Sequence, residues 1–456
     1  MKFLPPEDDI ELYEDGFGEN DILGRKVISS RLSELVDRIE DPLVIAIDGP
    51  WGSGKSYFLK RWVGAHTKEN SGKATTVYFD AFSHDYLDEP LIGLVSAIGD
   101  RLPPEGKRSQ WDRIRKAAIK LAKPIAKIGL SAATAGAAGI ATEFWEGVIE
   151  SGGKEFETVL DKFWAKEEGR RAAMNEFRAA LAMLTGPDDN GVIKPIVVVI
   201  DELDRCRPDY ALQVLEIIKH FFTVAGVHFL LGVNMRVLEG SVRARYGQSI
   251  DSHGYLKRFI NLTLNLPSHI GNREKNHTVI LYADHLSVSM GLDNMLSKRC
   301  REHLKLVMRS NEVSIRDVGK IMSRVSLVPE KMRVAVKLSG WQEILVTLII
   351  SAIIRPELYP KFLNGSISDD ELLSYFGATK EMITLGDNGR QTEHHHHPTF
   401  YLVHMWRLIS SSGKEDIPMK DSFEKIFSEW GISDSDPKLY PRKVHDDWLD
   451  LFSISQ

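Results

Sequence analysis

The run Gly49-Pro-Trp-Gly-Ser-Gly-Lys-Ser56 constrains this chain more than any other part of it. It matches G-x-x-x-x-G-K-[ST]. It follows a short apolar run, Leu43-Val-Ile-Ala-Ile47, closed by Asp48, and precedes a helical pattern over Tyr57–His66. Strand, glycine loop and helix in that order are the context a phosphate cradle needs. The glycines let backbone N–H groups approach an anion closely, and the helix points its positive end at the same charge. Lys55 is placed to bridge outer phosphates, and the Ser56 hydroxyl to ligate Mg²⁺. Gly49, Pro50, Trp51, Gly52, Ser53, Gly54, Lys55, Ser56 and Tyr57 are therefore the candidate nucleotide contacts.

The apolar periodicity around this loop predicts an α/β fold. Further strands are expected at Thr76-Val-Tyr-Phe-Asp-Ala-Phe82, Ile196-Val-Val-Val-Ile200, Val227–Val233 and Asn261–Leu266, because short β-branched runs bounded by polar residues read as buried strands. Helical patterns cover Arg31–Ile39, Glu89–Arg101 and Tyr210–Phe222. Strands alternating with helices imply a mainly parallel five-stranded sheet covered on both faces. A long insertion separates the second and third strands, and after Pro267 the pattern is mostly helical. The expected organisation is a core of 1–104 and 191–270, a helical insertion of 105–190 and a helical C-terminal region of 271–456.

The second chemical signal is Ile200-Asp-Glu-Leu-Asp-Arg205. An acidic pair at the end of a buried strand emerges at the carboxyl edge of the sheet, where ligands bind in open α/β folds. Asp201 is the candidate Mg²⁺ ligand, and Glu202 the candidate base that orients and deprotonates water. A complete strand lies between the loop strand and the carboxylate strand in the chain, and the Glu follows the Asp directly. Both features resemble the additional-strand, catalytic-glutamate branch of P-loop proteins. Guanine recognition of the GTPase type needs Asn-Lys-x-Asp, whereas the corresponding place reads Asn234-Met-Arg236, so ATP is the expected nucleotide. Asn234, at the tip of the fourth strand, is a candidate sensor of the outer phosphate or the water; the plainer alternative is a residue that ends a strand.

Taken together, DGPWGSGKS, VYFDAFSHDYLDEPLIGLVSAI, VVVIDELDRCRPDYALQVLEIIKHFF and GYLKRFINLTLNLP resemble the KAP family of P-loop NTPases, from about Asp21 to Pro267. The resemblance implies an ATPase core related to STAND and AAA-like machines, in a family with members linked to bacterial exclusion of phage. It makes Lys55, Ser56, Asp201 and Glu202 the working site. Asp204 and Arg205 match its second acidic–basic pair, Arg258 matches its basic residue before the last core strand, and Arg316 lies where a helical segment carries an arginine. Arg258 is the candidate to act on a neighbour's nucleotide, with Arg243 and Arg245 as alternatives. The plainer reading pairs Arg258 with a carboxylate of its own fold.

Family members often carry membrane-spanning helices in the insertion. Here the uncharged run Ile128–Thr142 has fifteen residues, mostly Ala, Gly, Ser and Thr, against the roughly 20 apolar residues a span requires. A packed helix or hairpin is expected, with peripheral membrane contact through 110–142 as the alternative. The formal net charge of −6 argues against coating nucleic acid, although the basic stretch Lys107–Lys127 leaves a local patch. Two cysteines, Cys206 and Cys300, exclude a disulfide framework and a thiolate zinc quartet. Cys206 between Arg205 and Arg207 reads as packing rather than as a reactive thiol. Glu393-His-His-His-His-Pro398 reads as a solvated loop rather than a chelate. The acidic N-terminus has no apolar core of the signal-peptide kind, and a cytoplasmic chain is expected. The expected function is an Mg²⁺-dependent ATPase driving a conformational or assembly switch, with a homo-oligomer or another protein as partner. A phosphotransferase and a nucleotide-gated scaffold with little turnover are the competing readings.

Overall fold

The computed structural model describes residues 3–5, 9–18, 21–86, 89–101, 109–121, 154–186, 194–267, 277–292, 294–334, 339–383, 398–411, 421, 423, 427 and 436–450. The chain divides into two compact units. One comprises Ile10–Pro50 and Gly54–Leu266; the other comprises Met1–Asp9, Trp51–Ser53 and Pro267–Gln456.

The first unit is an α/β domain. Its strands are β1 (Leu43–Asp48), β2 (Thr75–Asp80), β3 (Ile196–Asp201), β4 (Val227–Val233) and β5 (Leu262–Asn265). They form one parallel sheet in the order β2-β3-β4-β1-β5. Every residue of β3 and β4 is buried, as strands covered on both faces must be, whereas β5 is largely exposed at an edge. The strand that separates the loop strand from the carboxylate strand in space is β4, not the intervening strand β2.

The strand alternation sorts side chains onto two faces. Ile45, Ile47, Val197, Val199 and Leu230 pack on one face beneath α1 (Lys26–Arg38) and α2 (Lys55–Lys68), with Leu32, Val36, Phe58, Leu59 and Trp62. Val44, Ala46, Val198, Ile200, Phe229 and Leu231 face the other way. That second face is covered by helices after a short α3 (Ala81–His84): α4 (Pro90–Arg101), α5 (109–121), α6 (Lys154–Thr185), α7 (Pro208–Phe221) and α8 (Met235–Tyr246). The insertion therefore contributes to the same core as the sheet, through Ile114, Ala117, Ala118 and Leu121 of α5 and Phe177, Leu181 and Leu184 of α6. In the sequence Phe156, Leu160 and Phe163 continue an interrupted apolar helical stripe with Phe177, Leu181 and Leu184; these three side chains lie outside the described ones, as do the run Ile128–Thr142 and the histidine run. Among the described residues, no helix is long and apolar enough to cross a membrane.

Local chemistry moves some boundaries. The second strand ends at Asp80 rather than Phe82, because the Asp80 carboxylate accepts the Ser83 N–H at 2.9 Å and caps α3. The helix after the glycine loop begins at Lys55, before Tyr57, and α1 begins at Lys26, before Arg31.

The second unit is helical among its described residues, with Thr278–Ser289, Met295–Val307, Ile315–Leu327, Ser339–Ile354, Pro398–Ser410 and Tyr440–Trp448 as its longer helices. Ser339–Ile354 is apolar around most of its circumference and runs through the core. Its one carboxylate, Glu343, is buried but satisfied by His303 Nε2 at 2.6 Å and by Arg299, partners that hold it below the usual carboxylate range against the cost of burial. Arg316 is exposed in the first turn of Ile315–Leu327, a helix capped reciprocally by Ser314 and Asp317.

Candidate active site

Gly52 and Gly54 adopt the left-handed region, at φ 82° and 84°, which turns the chain sharply into α2. The first turn of α2 has no acidic residue and no side-chain cap, so its leading N–H groups are left for another acceptor. Arg25 braces this turn: its guanidinium donates to the Gly54 carbonyl at 2.6 Å, and a Cβ on Gly54 would come within 2.8 Å of it. Burial pulls the Arg25 pKa down to about 10, opposed first by Asp21, which still leaves a cation at neutral pH. Trp51 stands about half-exposed.

Lys55 is buried, with Nζ donating to the carbonyls of Gly49 at 2.6 Å and Pro50 at 3.2 Å. Burial pulls its pKa down, while Asp204, Asp201 and Asp48 oppose that shift. Asp201 is almost fully buried. It accepts hydrogen bonds from the Tyr78 hydroxyl at 2.8 Å, the Glu202 N–H at 2.9 Å and the Ser56 hydroxyl. Burial pushes its pKa up against the pull of those donors. Ser56 and Asp201, two hard oxygen donors in contact, fit an Mg²⁺ ion.

Glu202 has a backbone rare for a residue with a side chain, φ 60° and ψ 23°. Such strain clusters at working sites. Its carboxylate pairs with Arg205 at 2.8 Å, and burial raises its pKa against that pairing. Asp204 is buried in the 3₁₀ turn Leu203–Arg205 and is the strongest favourable charge on Lys55.

Asn234 is half-buried at the end of β4 and makes no side-chain cap to α8. That cap comes from Asp48, whose carboxylate accepts the Met235 N–H at 2.9 Å. Arg258 follows α9 (Ser252–Leu256), is exposed, and sits 5.9 Å from the Tyr255 ring centroid. It is not among the principal charges felt by Lys55, Asp201 or Glu202. Among the described residues no carboxylate pairs with it, so the expected pairing within its own fold is replaced by this ring contact. Arg243 bonds Ser252 at 2.7 Å, and Arg245 is exposed. Cys206 is buried and its pKa is pushed up, because burial and nearby carboxylates outweigh the flanking arginines, which turn to Glu202 and Asp85.

Four residues that the sequence reading did not single out also shape the site: Arg25, Tyr78, Asp80 and Gly232. Asp80 lies beside Asp201 in the sheet register and raises the pKa of both Asp201 and Glu202. Gly232 lies on the other side of Asp201, where a Cβ would stand 2.4 Å from its Oδ1. A polar residue closing β2 was the only hint of Asp80. No local signal marks the other three, whose partners are 29 or more residues away or lie on a neighbouring strand.

Comparison with known proteins places this geometry in a family. The profile of the KAP family P-loop domain matches residues 25–332. Among curated proteins there is no significant match. Of the solved structures, Aeropyrum pernix ORC2 in ADPNP–ADP complexes is 12% identical, covering 80% of this chain and 75% of its own, with a TM-score of 0.36. A Thermotoga maritima RuvB is also 12% identical, covering 84% and 88% respectively, with a TM-score of 0.24. Superpositions this loose decide nothing about the chemistry. The family match spans most of the chain and includes the glycine loop, the carboxylate strand and the sheet between them, so this chain belongs to the KAP family of P-loop NTPases.

Proposed function

We propose that the chain hydrolyses ATP with Mg²⁺ and couples turnover to a conformational or assembly switch. The observation that carries this reading is the cluster of buried Lys55 and Asp201 with half-buried Ser56 at the carboxyl edge of the sheet, with Glu202 beside it. The N–H groups of the loop and of the first turn of α2 cradle the phosphates, and Lys55 exchanges its carbonyl partners for outer phosphate oxygens. Ser56 and Asp201 would hold Mg²⁺, which supplies charge neutralisation at those oxygens. Glu202 takes a proton from water as the water oxygen bonds to the γ-phosphorus and the bond to the β–γ bridging oxygen breaks, leaving ADP and inorganic phosphate. Asn234 orients that water or the γ-phosphate, and Asp204 holds Lys55 charged. Arg258 is assigned to the nucleotide of a second copy of the chain. ATP is preferred over GTP because the turn after β4 passes from Asn234 directly into α8 without a Lys and Asp pair. On the family resemblance, the proposed setting is the bacterial cytoplasm and defence against phage.

The test separates binding from chemistry. Lys55→Ala should abolish tight ATP binding measured by calorimetry with Mg²⁺. Glu202→Gln should still bind ATP but release phosphate about 10²-fold more slowly, since the amide cannot accept the proton. Parental turnover in Glu202→Gln combined with a dead Asp204→Asn would transfer the base role to Asp204.

A further inference from the structure

The Glu202 carboxylate is held by a guanidinium in this structure. Arg205 Nη2 lies 2.8 Å from Glu202 Oε1, within a single 3₁₀ turn. A carboxylate in such a pair has one oxygen occupied by the guanidinium, which takes that oxygen away from water. Arg205 also acts electrostatically on Lys55, so its charge is felt at the lysine placed to meet the outer phosphates. A phosphate group offers a guanidinium more charge and more acceptor atoms than a single carboxylate does.

We propose that Arg205 is a nucleotide-sensitive positioning residue, which exchanges Glu202 for the outer phosphate and thereby releases Glu202 to act on water. The inference rests on the reading of Glu202 as the base. The backbone is built for an exchange of side chains alone. The Glu202 carbonyl accepts the Arg205 N–H at 3.0 Å, fixing the left-handed turn. The Arg205 side chain is one-third exposed and has room to move, whereas Glu202 is more enclosed. Once Arg205 leaves, the groups facing Glu202 are Asp201, Asp80 and Lys60. The exchange also makes the base available only when an outer phosphate is present, which ATP has and ADP lacks.

A binding cycle that needs no turnover tests this. Calorimetry would measure ATPγS and ADP affinities, with Mg²⁺, for the parent, Glu202→Gln, Arg205→Ala and the double variant. If ATP must break the Arg205–Glu202 pair, Glu202→Gln weakens that pair and should tighten ATPγS binding about tenfold, the equivalent of roughly one charge-assisted hydrogen bond. ADP affinity should not change. In the Arg205→Ala background, Glu202→Gln should have no effect on either ligand. Arg205→Lys keeps the charge but loses the planar fork, and should recover part of the ATPγS preference; it also serves as the test variant if Arg205→Ala does not fold. Equal tightening of ATPγS in both backgrounds would mean that Glu202 merely repels phosphate, and the exchange is rejected. Equal tightening of ATPγS and ADP rejects it as well. Failure of the underlying reading looks different: Glu202→Gln would then release phosphate from ATP at the parental rate.

Discussion

At Asp201, burial and hydrogen bonding pull in opposite directions. A carboxylate almost without solvent favours its neutral form, yet the Mg²⁺ ligand proposed at this position must be charged. Three donors oppose the burial: Ser56, the Glu202 N–H and the Tyr78 hydroxyl. Burial and the Asp201 charge push the Tyr78 pKa far above its ordinary value, so Tyr78 remains a neutral donor at any working pH. Tyr78→Phe removes one donor while keeping the ring. The Asp201 pKa then moves further up, and more of the carboxylate is protonated in mild acid. The Mg²⁺ concentration for half-maximal activity should rise about tenfold, the worth of one hydrogen bond to a charge, and rise more at pH 6 than at pH 8. Phosphate release titrated with Mg²⁺ at both pH values measures this. An equal rise at the two values would assign Tyr78 to packing alone.

Among the elements, β4 does the most to place the site, and it was the least legible in its position. Its apolar run reveals a strand, and its boundaries match the sequence reading at both ends. No periodicity says which strands are neighbours, so the insertion of β4 between β1 and β3 could not be read from spacing. The glycine loop was legible because its chemistry is local: eight consecutive residues carry the turn, the donors and the lysine. Asp201 and Glu202 were legible because they end an uninterrupted β-branched run. Tyr78 was not, since its bond to Asp201 spans 123 residues. Gly232 was not, because its role depends on the neighbour: Asp201 leans over β4 only where β4 lacks a side chain. A Cβ there would meet Asp201 Oδ1 at 2.4 Å and Leu59 Cδ1 at 2.5 Å. Gly232→Ala should therefore destabilise the domain by about 1–3 kcal/mol, as overpacking does, and should abolish Mg²⁺-dependent nucleotide binding in the fraction that stays folded. Gly240, inside α8 with no heavy atom near its missing Cβ, is the control. Gly240→Ala should stabilise by about 0.5–1 kcal/mol through helix propensity. Urea unfolding of both variants checks the pair, and similar effects would remove the special role of Gly232.

For the molecule as a whole, the open question is whether one chain contains every charge its chemistry needs. Phosphoryl transfer builds negative charge on the γ-oxygens, and an arginine that meets it accelerates turnover by about 10³-fold or more in favourable cases. Within this chain, Arg25 is committed to the Gly54 carbonyl, and Arg205 can meet an outer phosphate only by leaving Glu202. Arg258 is exposed, has a ring rather than a carboxylate as its described contact, and is not among the principal charges on Lys55. An arginine so placed costs little to bring against a neighbour's phosphate, because no buried ion pair has to be broken first. The assembly reading therefore predicts that activity per chain falls on dilution through the association range, measured by phosphate release alongside light scattering. Constant specific activity across that range would show that no neighbour contributes. If activity falls, Arg258→Ala and Lys55→Ala should each be inactive alone and partly active when mixed. In mixed assemblies some boundaries join an intact loop from the Arg258→Ala chain to an intact arginine from the Lys55→Ala chain. Failure of the mixture, with mixed assembly verified by native mass spectrometry, would reject Arg258 and leave Arg245, exposed on α8, as the next residue to test in the same way.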